Sequence, residues 1–403
     1  MVSVTILLKD NKVNEKGEKP LYIRIIKGRQ TKFISIGIKV HPDLWNKDKL
    51  RVKSQFPNSA RVNAFIAKKL SDAECLSLDL ETKHKNVSSL RIKEALIGKS
   101  SVSLINYMEN DLTDIKANGK IGSYKKVKAI LQKLKTYLQG KDILFHDFDL
   151  VFLKKYERYL RDDLGNSTNT IHTNLKTFRK IFNDAVREDI IEPSDNPFSK
   201  FKLSLEKTKK EYLTEDELAE IENLILKEDS KVFHHRNIYV FASYAGGVRI
   251  SDLLQLKWQN YDGTHIKIIT QKTKEPISIK LPTKAIELIE YYSELQQTKK
   301  KSDFIFPFLN NHTDYSSPEV LFNAIASNTA YANKDLKVIA KKAQITKHIS
   351  FHSSRHTWAT RALQKGMRIE YVSKLMGHGS LKTTMIYTKI VNSELDNAMD
   401  IFN

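Results

Sequence analysis

Between Ser103 and Val186 apolar residues recur at three- and four-residue spacing in four successive stripes, and a chain written that way buries them by packing helix on helix. Leu104, Tyr107, Met108 and Leu112 make the first stripe. Tyr124, Val127, Ile130, Leu131, Leu134 and Leu138 make the second, which stops at Gly140. The third is Leu150, Leu153, Tyr156, Tyr159 and Leu160, and the fourth is Ile171, Leu175, Phe178, Ile181, Phe182 and Val186. Gly165-Asn166-Ser167 between the last two reads as a helix cap. Four amphipathic helices of this length predict an independent bundle over residues 103–198. The faces outside its core carry Lys125, Lys126, Lys128, Lys133, Lys135, Lys176, Arg179 and Lys180, which suit phosphate contacts and solvation alike.

The stretch before the bundle has another period. Residues 2–8, 21–26 and 32–38 are β-branched runs, and Ile34, Ile36 and Ile38 alternate with smaller or more polar residues. They predict a three-stranded antiparallel sheet. Val62, Phe65, Ile66, Leu70, Ala73, Leu76 and Leu80 then mark one long helix to cover a sheet face, completing a small module over residues 1–84. Its first fifty residues hold eleven Lys or Arg against five Asp or Glu. Lysines also discourage pairing at sheet edges, but in so basic a chain they favour a DNA-binding module. Arg24, Arg29 and Lys32 are the candidates by strand position. The polar residues 84–102 read as a linker with a short helix.

Pro193 and Asn196-Pro197, followed by the lysine-rich 202–210, close the bundle with a tether suited to two lobes that shut around a duplex. Thr214-Glu215-Asp216-Glu217 is a capping box that opens a third domain, residues 211–403. Here the helix through Ile238–Ala242 breaks at Gly246-Gly247, and a second begins with Ser251 and Asp252 placed to cap it. Arg249 sits at the break. Two strand-like runs, 265–269 and 276–279, flank Lys272 near a hairpin tip. Further helices are expected from Pro282-Thr283 through Tyr291 and from Asp335 to Ala343. Each feature alone says little, since an arginine at a junction ordinarily pairs with a carboxylate and a hairpin lysine is ordinarily just solvated.

Composition narrows the partners. The 403 residues carry a net charge of +20, which points to a polyanion, nucleic acid first. The single cysteine, Cys75, rules out an intrachain disulfide, argues for a reducing cytoplasm, and is expected to pack in its helix. A four-cysteine zinc site is impossible, and the twelve histidines do not form His-Glu-x-x-His pairs, so no metal site is expected. No apolar run approaches the ~18 residues that span a bilayer. The N-terminal apolar segment is too short for a signal peptide, so the expected location is intracellular.

The chemistry concentrates between Phe351 and Tyr387, which reads Phe-His-Ser-Ser-Arg-His-Thr-Trp-Ala-Thr, then Leu-Met-Gly-His-Gly-Ser, then Met-Ile-Tyr-Thr. His352 and Arg355, three apart, share a helix face and can reach one target. His378 lies between two glycines, nine residues before Tyr387. Two histidines, an arginine and a tyrosine suit an electron-rich phosphate and a tyrosine nucleophile. His356 is assigned to packing beside Trp358.

Gly-Gly-Val-Arg-Ile-Ser-Asp-Leu with Arg249, Gln-Lys-Thr with Lys272, His-x-x-Arg with His352 and Arg355, Gly-His with His378, and Tyr387 nine residues on occur in this order. The set resembles the catalytic domain of tyrosine recombinases, the phage-integrase family, over roughly residues 211–395. The preceding β module and bundle are similar to the arm-binding and SAM-like core-binding domains of integrases from mobile elements. The implied fold is mainly α with small β-sheets, the catalytic domain mixed α+β. One departure is Ser354, where the family more often has an apolar residue, a change that touches packing.

The resemblance implies site-specific cleavage and rejoining of DNA, without metal or other cofactor and without ATP, for integration, excision or inversion. Tyr387 would attack phosphorus and form a 3′-phosphotyrosine, while Arg249 and Arg355 fork onto the non-bridging oxygens. His352 and His378 would add hydrogen bonds, Lys272 would protonate the departing 5′-oxygen, and Asp252 would orient Arg249. Double-stranded DNA at specific sites is the implied partner, bound as a tetramer on two duplexes with accessory DNA-bending proteins, on the nucleoid of a prokaryote. The other readings are a type IB topoisomerase-like nicking-closing enzyme and a non-catalytic DNA-binding regulator. The amphipathic tail, Glu394 to Asn403, reads as a helix that docks on a neighbour.

Overall fold

The computed structural model describes residues 2–9, 13–83, 89–97, 102–208, 210–228, 230–296 and 298–387; the tail helix expected from Glu394 lies outside them. Apart from the short turn 118–122, the chain separates into two compact units between Glu206 and Lys207.

In the first unit, β1 (Ser3–Leu8), β2 (Lys19–Lys27) and β3 (Gln30–Val40) form an antiparallel sheet in the order β1-β2-β3. Alternation sorts its two faces. Ile6, Leu21, Ile23 and Ile25 are buried, with Ile34, Ile36 and Ile38 packed beside them. The register aligns Thr5, Arg24 and Phe33 across the opposite face, with Leu7, Tyr22 and Ser35 next to them. Gly28 and Arg29, both at positive φ, make the two-residue turn into β3. The ribbons β4 (Trp45–Asn46) and β5 (Arg51–Val52) follow.

The long helix α1 (Ser59–Lys83) covers the core through Ile66, Ala73 and Leu80. Its apolar stripe is narrower than the sequence suggests: Phe65 is 40% exposed. Cys75, expected to pack, is exposed, because it lies two residues from Ala73 and from Ser77 and so points off the buried face. The short helix in the supposed linker, α2 (Ser89–Ile97), joins this core with Ile92 fully buried.

The bundle consists of α3 (Leu104–Ala117), α4 (Ile121–Tyr137), α5 (Leu150–Arg158) and α6 (Thr168–Arg187). The four apolar stripes meet in one core, dense in rings: Phe145, Phe148, Tyr156, Phe178 and Phe182 are all buried. Ser167 caps α6 by accepting from the Thr170 amide.

The second unit opens with α7 (Glu215–Glu222), whose capping box closes in both directions between Thr214 and Glu217. The almost wholly buried α8 (Lys231–Tyr244) is its central element, followed by the single turn α9 (Ile250–Leu253). A two-stranded hairpin, β6 (His265–Ile269) and β7 (Pro276–Lys280), leads to α10 (Thr283–Leu295). Next comes α11 (Pro318–Lys342), far longer than the 335–343 segment expected. Then α12 (Phe351–Gln364) and α13 (Ile369–Leu375) carry the motif-rich stretch. Among the described residues no helix is long and apolar enough to cross a membrane, and no group of three or more His, Cys, Asp or Glu is arranged to hold a metal ion.

Candidate active site

Two glycines set the arginines. After α8 the chain turns through Gly246 and Gly247, at φ +69° and +61°, a conformation that side chains disfavour. A Cβ on Gly246 would stand 2.7 Å from Ile279 Cδ1, and one on Gly247 3.2 Å from Arg355 Cα. The bare backbone therefore lies directly on α12. The Gly247 carbonyl accepts from Arg355 at 2.7 Å, and the Met376 carbonyl accepts from its other terminal nitrogen at 2.5 Å. Arg355 is thereby buried and fixed, and Arg249, two residues after Gly247, occupies the N-cap position of α9.

Asp252 behaves differently from expectation. It does not cap α9; it lies inside that turn and accepts the Gln271 amide at 2.8 Å. Its carboxylate thus ties down the hairpin loop next to Lys272, while Arg249 acts on it through space. Burial pushes its pKa up, against the pull of the Gln271 hydrogen bond and of Arg249, Arg355 and Lys274.

The loop it holds is tightly bonded. Thr270 and Thr273 share a hydroxyl contact of 2.6 Å, and Thr270 exchanges backbone bonds with Lys274 and Glu275. Lys272 is left exposed at the tip. Its charge bears on both His352 and His378.

Helix α12 is buried on nearly every side, because it runs through the unit rather than along it. Ser354, where an apolar residue was the expectation, is fully buried and bonds the Phe351 carbonyl at 2.7 Å, so its hydroxyl is satisfied within its own helix. His352 is the exposed member of this stretch. His378 follows the turn at Gly377, and its Nδ1 meets Thr384 Oγ1 at 2.8 Å. Thr384 is buried, and its carbonyl accepts the Tyr387 amide at 3.0 Å.

Tyr387 is 2% exposed. Its ring packs with Trp358, Ala359, Leu363, Val372 and Met376, and its hydroxyl meets His356 Nδ1 at 3.0 Å. His356, read from the sequence as packing, is thus the direct partner of the phenol. Its neighbour one turn back, His352, approaches it edge-on at 4.7 Å between ring centres. The spacing 352/356, one helical turn, was the available signal.

The electrostatics are of one sign. Burial lowers His378 to about 4, helped by Arg355, Arg249, Lys272 and His352. Burial likewise lowers His356 to about 4, with His352, Lys210 and Arg355 adding to it. His352, exposed on its outer side, is lowered by desolvation of its inner side and by Arg355, Lys210, Arg249 and Lys272. Arg355 itself falls to about 10 through burial and Arg249. Burial raises the Tyr387 phenol, and Arg355 and Arg249 oppose that rise. The five cationic or potentially cationic groups singled out by sequence are coupled to one another here, in surroundings that favour an anion.

The basic residues of the first unit scatter more. Arg24 lies on the open sheet face beside Tyr22 and Phe33, over whose rings Lys9 is placed at 5.2 and 4.4 Å. Arg29 is at the hairpin turn, and Lys32 belongs to the opposite face, aligned with buried Ile25. Lys125 and Lys176 are exposed on α4 and α6, and Arg179 is half-buried. A groove between those helices is lined by Lys126, Lys133, Asn169, Thr170 and Thr173; the polar residues of α6 gave no distinctive sequence signal.

Residues 211–394 match a family model described as the phage integrase family, residues 103–203 its SAM-like domain, and residues 6–93 an arm DNA-binding domain. A tyrosine recombinase XerD of Staphylococcus saprophyticus is 27% identical over 292 residues, spanning 70% of this chain and 92% of that protein. A tyrosine recombinase of Thermosipho africanus is 26% identical over 285 residues, 68% of this chain and 91% of that one. Among solved structures, the Tn1549 transposon integrase in complex with transposon right end DNA matches with a TM-score of 0.54 at 17% identity, covering 73% of this chain and 99% of that one. A lambda integrase tetramer bound to a Holliday junction matches with a TM-score of 0.50 at 16% identity, covering 93% of both chains. These matches agree with the ordered motif set and the glycine-braced arginine pair: the chain belongs to the tyrosine recombinases of the phage integrase family and is a site-specific recombinase.

Proposed function

We propose that Tyr387 is the nucleophile that cuts one DNA strand, leaving a 3′-phosphotyrosine and a free 5′-hydroxyl. Phosphorus in the transition state carries extra negative charge on its non-bridging oxygens, and donors fixed beforehand stabilise it. Arg249 and Arg355 fork onto those oxygens, and lysine could not match that geometry. His352 and His378 supply further hydrogen bonds, and Lys272 gives a proton to the departing oxygen. Asp252 acts one step back, holding the loop that carries Lys272. The observation that carries this reading is the ordered set of Arg249, Lys272, His352, Arg355, His378 and Tyr387, with Arg355 held between the Gly247 and Met376 carbonyls and Arg249 at the N-cap of the next turn. The phosphodiester energy stays in the phosphotyrosine, so resealing by another strand's 5′-hydroxyl needs no ATP.

In this reading residues 1–84 bind arm-type sites, 103–198 the core site, and 211–403 perform catalysis. Arg24, with Tyr22 and Phe33 on the open sheet face, contacts arm DNA, and Arg29 at the turn reaches backbone phosphate. Lys32 contributes charge from the sheet edge. Lys125, Lys176 and Arg179 contact core DNA together with the groove of Lys126, Lys133, Asn169 and Thr173. The working assembly is a tetramer on two duplexes, shaped by accessory DNA-bending proteins, on the nucleoid of a prokaryote. It serves the integration, excision or inversion of a mobile element.

A suicide duplex nicked near its cleavage site tests this directly. Wild-type protein should form a covalent adduct in the presence of EDTA, and Tyr387→Phe should bind the duplex equally well and form none. An adduct surviving that substitution would move the nucleophile elsewhere, and a requirement for divalent metal would remove the mechanism.

A further inference from the structure

We propose that Thr384 is a positioning residue for His378: its buried hydroxyl donates to Nδ1, which puts the hydrogen of the neutral ring on Nε2 and presents that N–H to the scissile phosphate. The proposal rests on the reading of His378 as a hydrogen-bond donor to phosphate.

The direction of the hydrogen bond follows from what each atom can do. Thr384 Oγ1 and His378 Nδ1 are 2.8 Å apart, and Thr384 is 0% exposed. Among the described residues the imidazole is the one hydrogen-bond partner of that hydroxyl. A hydroxyl has a single hydrogen to give, and burying it without an acceptor is costly. Were Nδ1 the donor, the threonine hydrogen would have nowhere to go. The hydroxyl therefore donates, Nδ1 accepts through its lone pair, and the neutral ring carries its hydrogen on Nε2.

The surroundings would choose otherwise. His378 is half-buried, and with its Nδ1 edge against the threonine the ε edge is the one left for a ligand. Burial, with Arg355, Arg249, Lys272 and His352 adding to it, keeps the ring neutral near pH 7. In an empty site those cations attract a lone pair on Nε2, and that tautomer would turn an acceptor toward the phosphate oxygens and repel them. Thr384 settles the choice before DNA arrives, so the donor needs no rearrangement when charge builds on phosphorus.

The backbone on both sides is fixed without the hydroxyl. The His378 amide donates to the Ser373 carbonyl at 3.0 Å, and the Thr384 amide to the Leu381 carbonyl at 2.8 Å. The Thr384 carbonyl in turn accepts the Tyr387 amide. Thr384→Val exchanges hydroxyl for methyl, leaves these bonds in place and removes the one to the ring.

Full-length protein without DNA, carrying nitrogen-labelled histidine, gives the first test. Nitrogen NMR reports which ring atom holds the hydrogen, and His378 is the signal missing from His378→Asn. At pH 7.5 wild type and Thr384→Ser should show Nε2–H, and Thr384→Val should gain Nδ1–H. A wild-type ring protonated at Nδ1, or a tautomer unchanged in Thr384→Val, would overturn the proposal. Single-turnover adduct formation on the nicked duplex is the second test. Thr384→Val should be roughly 2- to 10-fold slower at pH 7.5, the scale of one net hydrogen bond, and Thr384→Ser should recover the rate. The defect should shrink at pH 5.5, where the phosphate-bound ring carries both hydrogens and has no tautomer to choose. In the His378→Asn background Thr384→Val should add nothing; a further loss there, or a defect equal at both pH values, would make the threonine merely structural. Failure of the underlying reading looks different, because His378→Asn alone would then cleave at the wild-type rate.

Discussion

Gly247 and Arg355 touch twice: the glycine carbonyl accepts from the guanidinium at 2.7 Å, and the space a Cβ would fill lies 3.2 Å from the arginine Cα. The same residue that lets the chain turn after α8 therefore seats one of the two arginines proposed to bind phosphate and, two residues later, is followed by the other. Gly247→Ala should be costly on both counts. A non-glycine residue at φ +61° is strained by about 1–2 kcal/mol, and the added methyl must push α12 aside. We expect a lower melting temperature and adduct formation reduced at least tenfold, with DNA binding nearly intact. A variant that cleaves at the wild-type rate would show that Arg355 is not held by this contact.

Asp252 makes a separable prediction. If its bond to the Gln271 amide holds the Lys272 loop in place, Asp252→Ala should mimic Lys272→Ala, and Asp252→Asn, which keeps an acceptor, should be milder. Both defects should disappear on a substrate whose 5′-bridging oxygen is sulfur, because a thiolate leaves without a proton. Persistence of the Asp252→Ala defect on that substrate would return the carboxylate to the arginines.

If the two arginines bind phosphate as proposed, they should be unforgiving of a charge-conserving change. Arg249→Lys or Arg355→Lys keeps the cation and loses the fork, and each should slow cleavage on the order of a hundredfold, the scale of one lost oxyanion donor. Single-turnover adduct formation measures it, with duplex affinity changing far less. A loss confined to affinity would make that arginine a docking group.

What could be read from the sequence was what repeats or what must be one residue type. The four bundle stripes, the Thr214/Glu217 box and the Gly246-Gly247 break each have a local cause, so each appears where the residues put it. The extent of α11 did not show, because its buried positions Ile325, Ala332, Leu336 and Ile339 are sparse and its first two turns bury no residue. The partners of Asp252 and His356 did not show for a different reason. Asp252 binds a backbone amide nineteen residues away, and His356 a hydroxyl thirty-one residues away. No helical periodicity reports partners at that distance. The basic candidates on the sheet divided between two faces only once the register aligned Arg24 with Phe33 and Lys32 with Ile25.

The lowered histidines give a pH dependence of definite sign. Folded His356 and His378 titrate at about 4, below the ordinary value of 6.5, so between those values the unfolded chain binds more protons than the folded one. Their contribution to stability is full above about pH 6.5 and is lost as pH falls toward 4. The melting temperature of the DNA-free protein should therefore drop by several degrees or more across that window. A bound phosphate reverses the field of Arg249, Arg355, Lys272 and Lys210 and favours the charged imidazoles, so duplex binding should take up protons. Affinity for a cleavage-site duplex should rise from pH 7.5 to 5.5 at fixed salt in Tyr387→Phe protein, and His378→Asn should flatten that rise. Affinity independent of pH in this range would mean that the histidines do not share the phosphate, and would leave the two arginines to hold it alone.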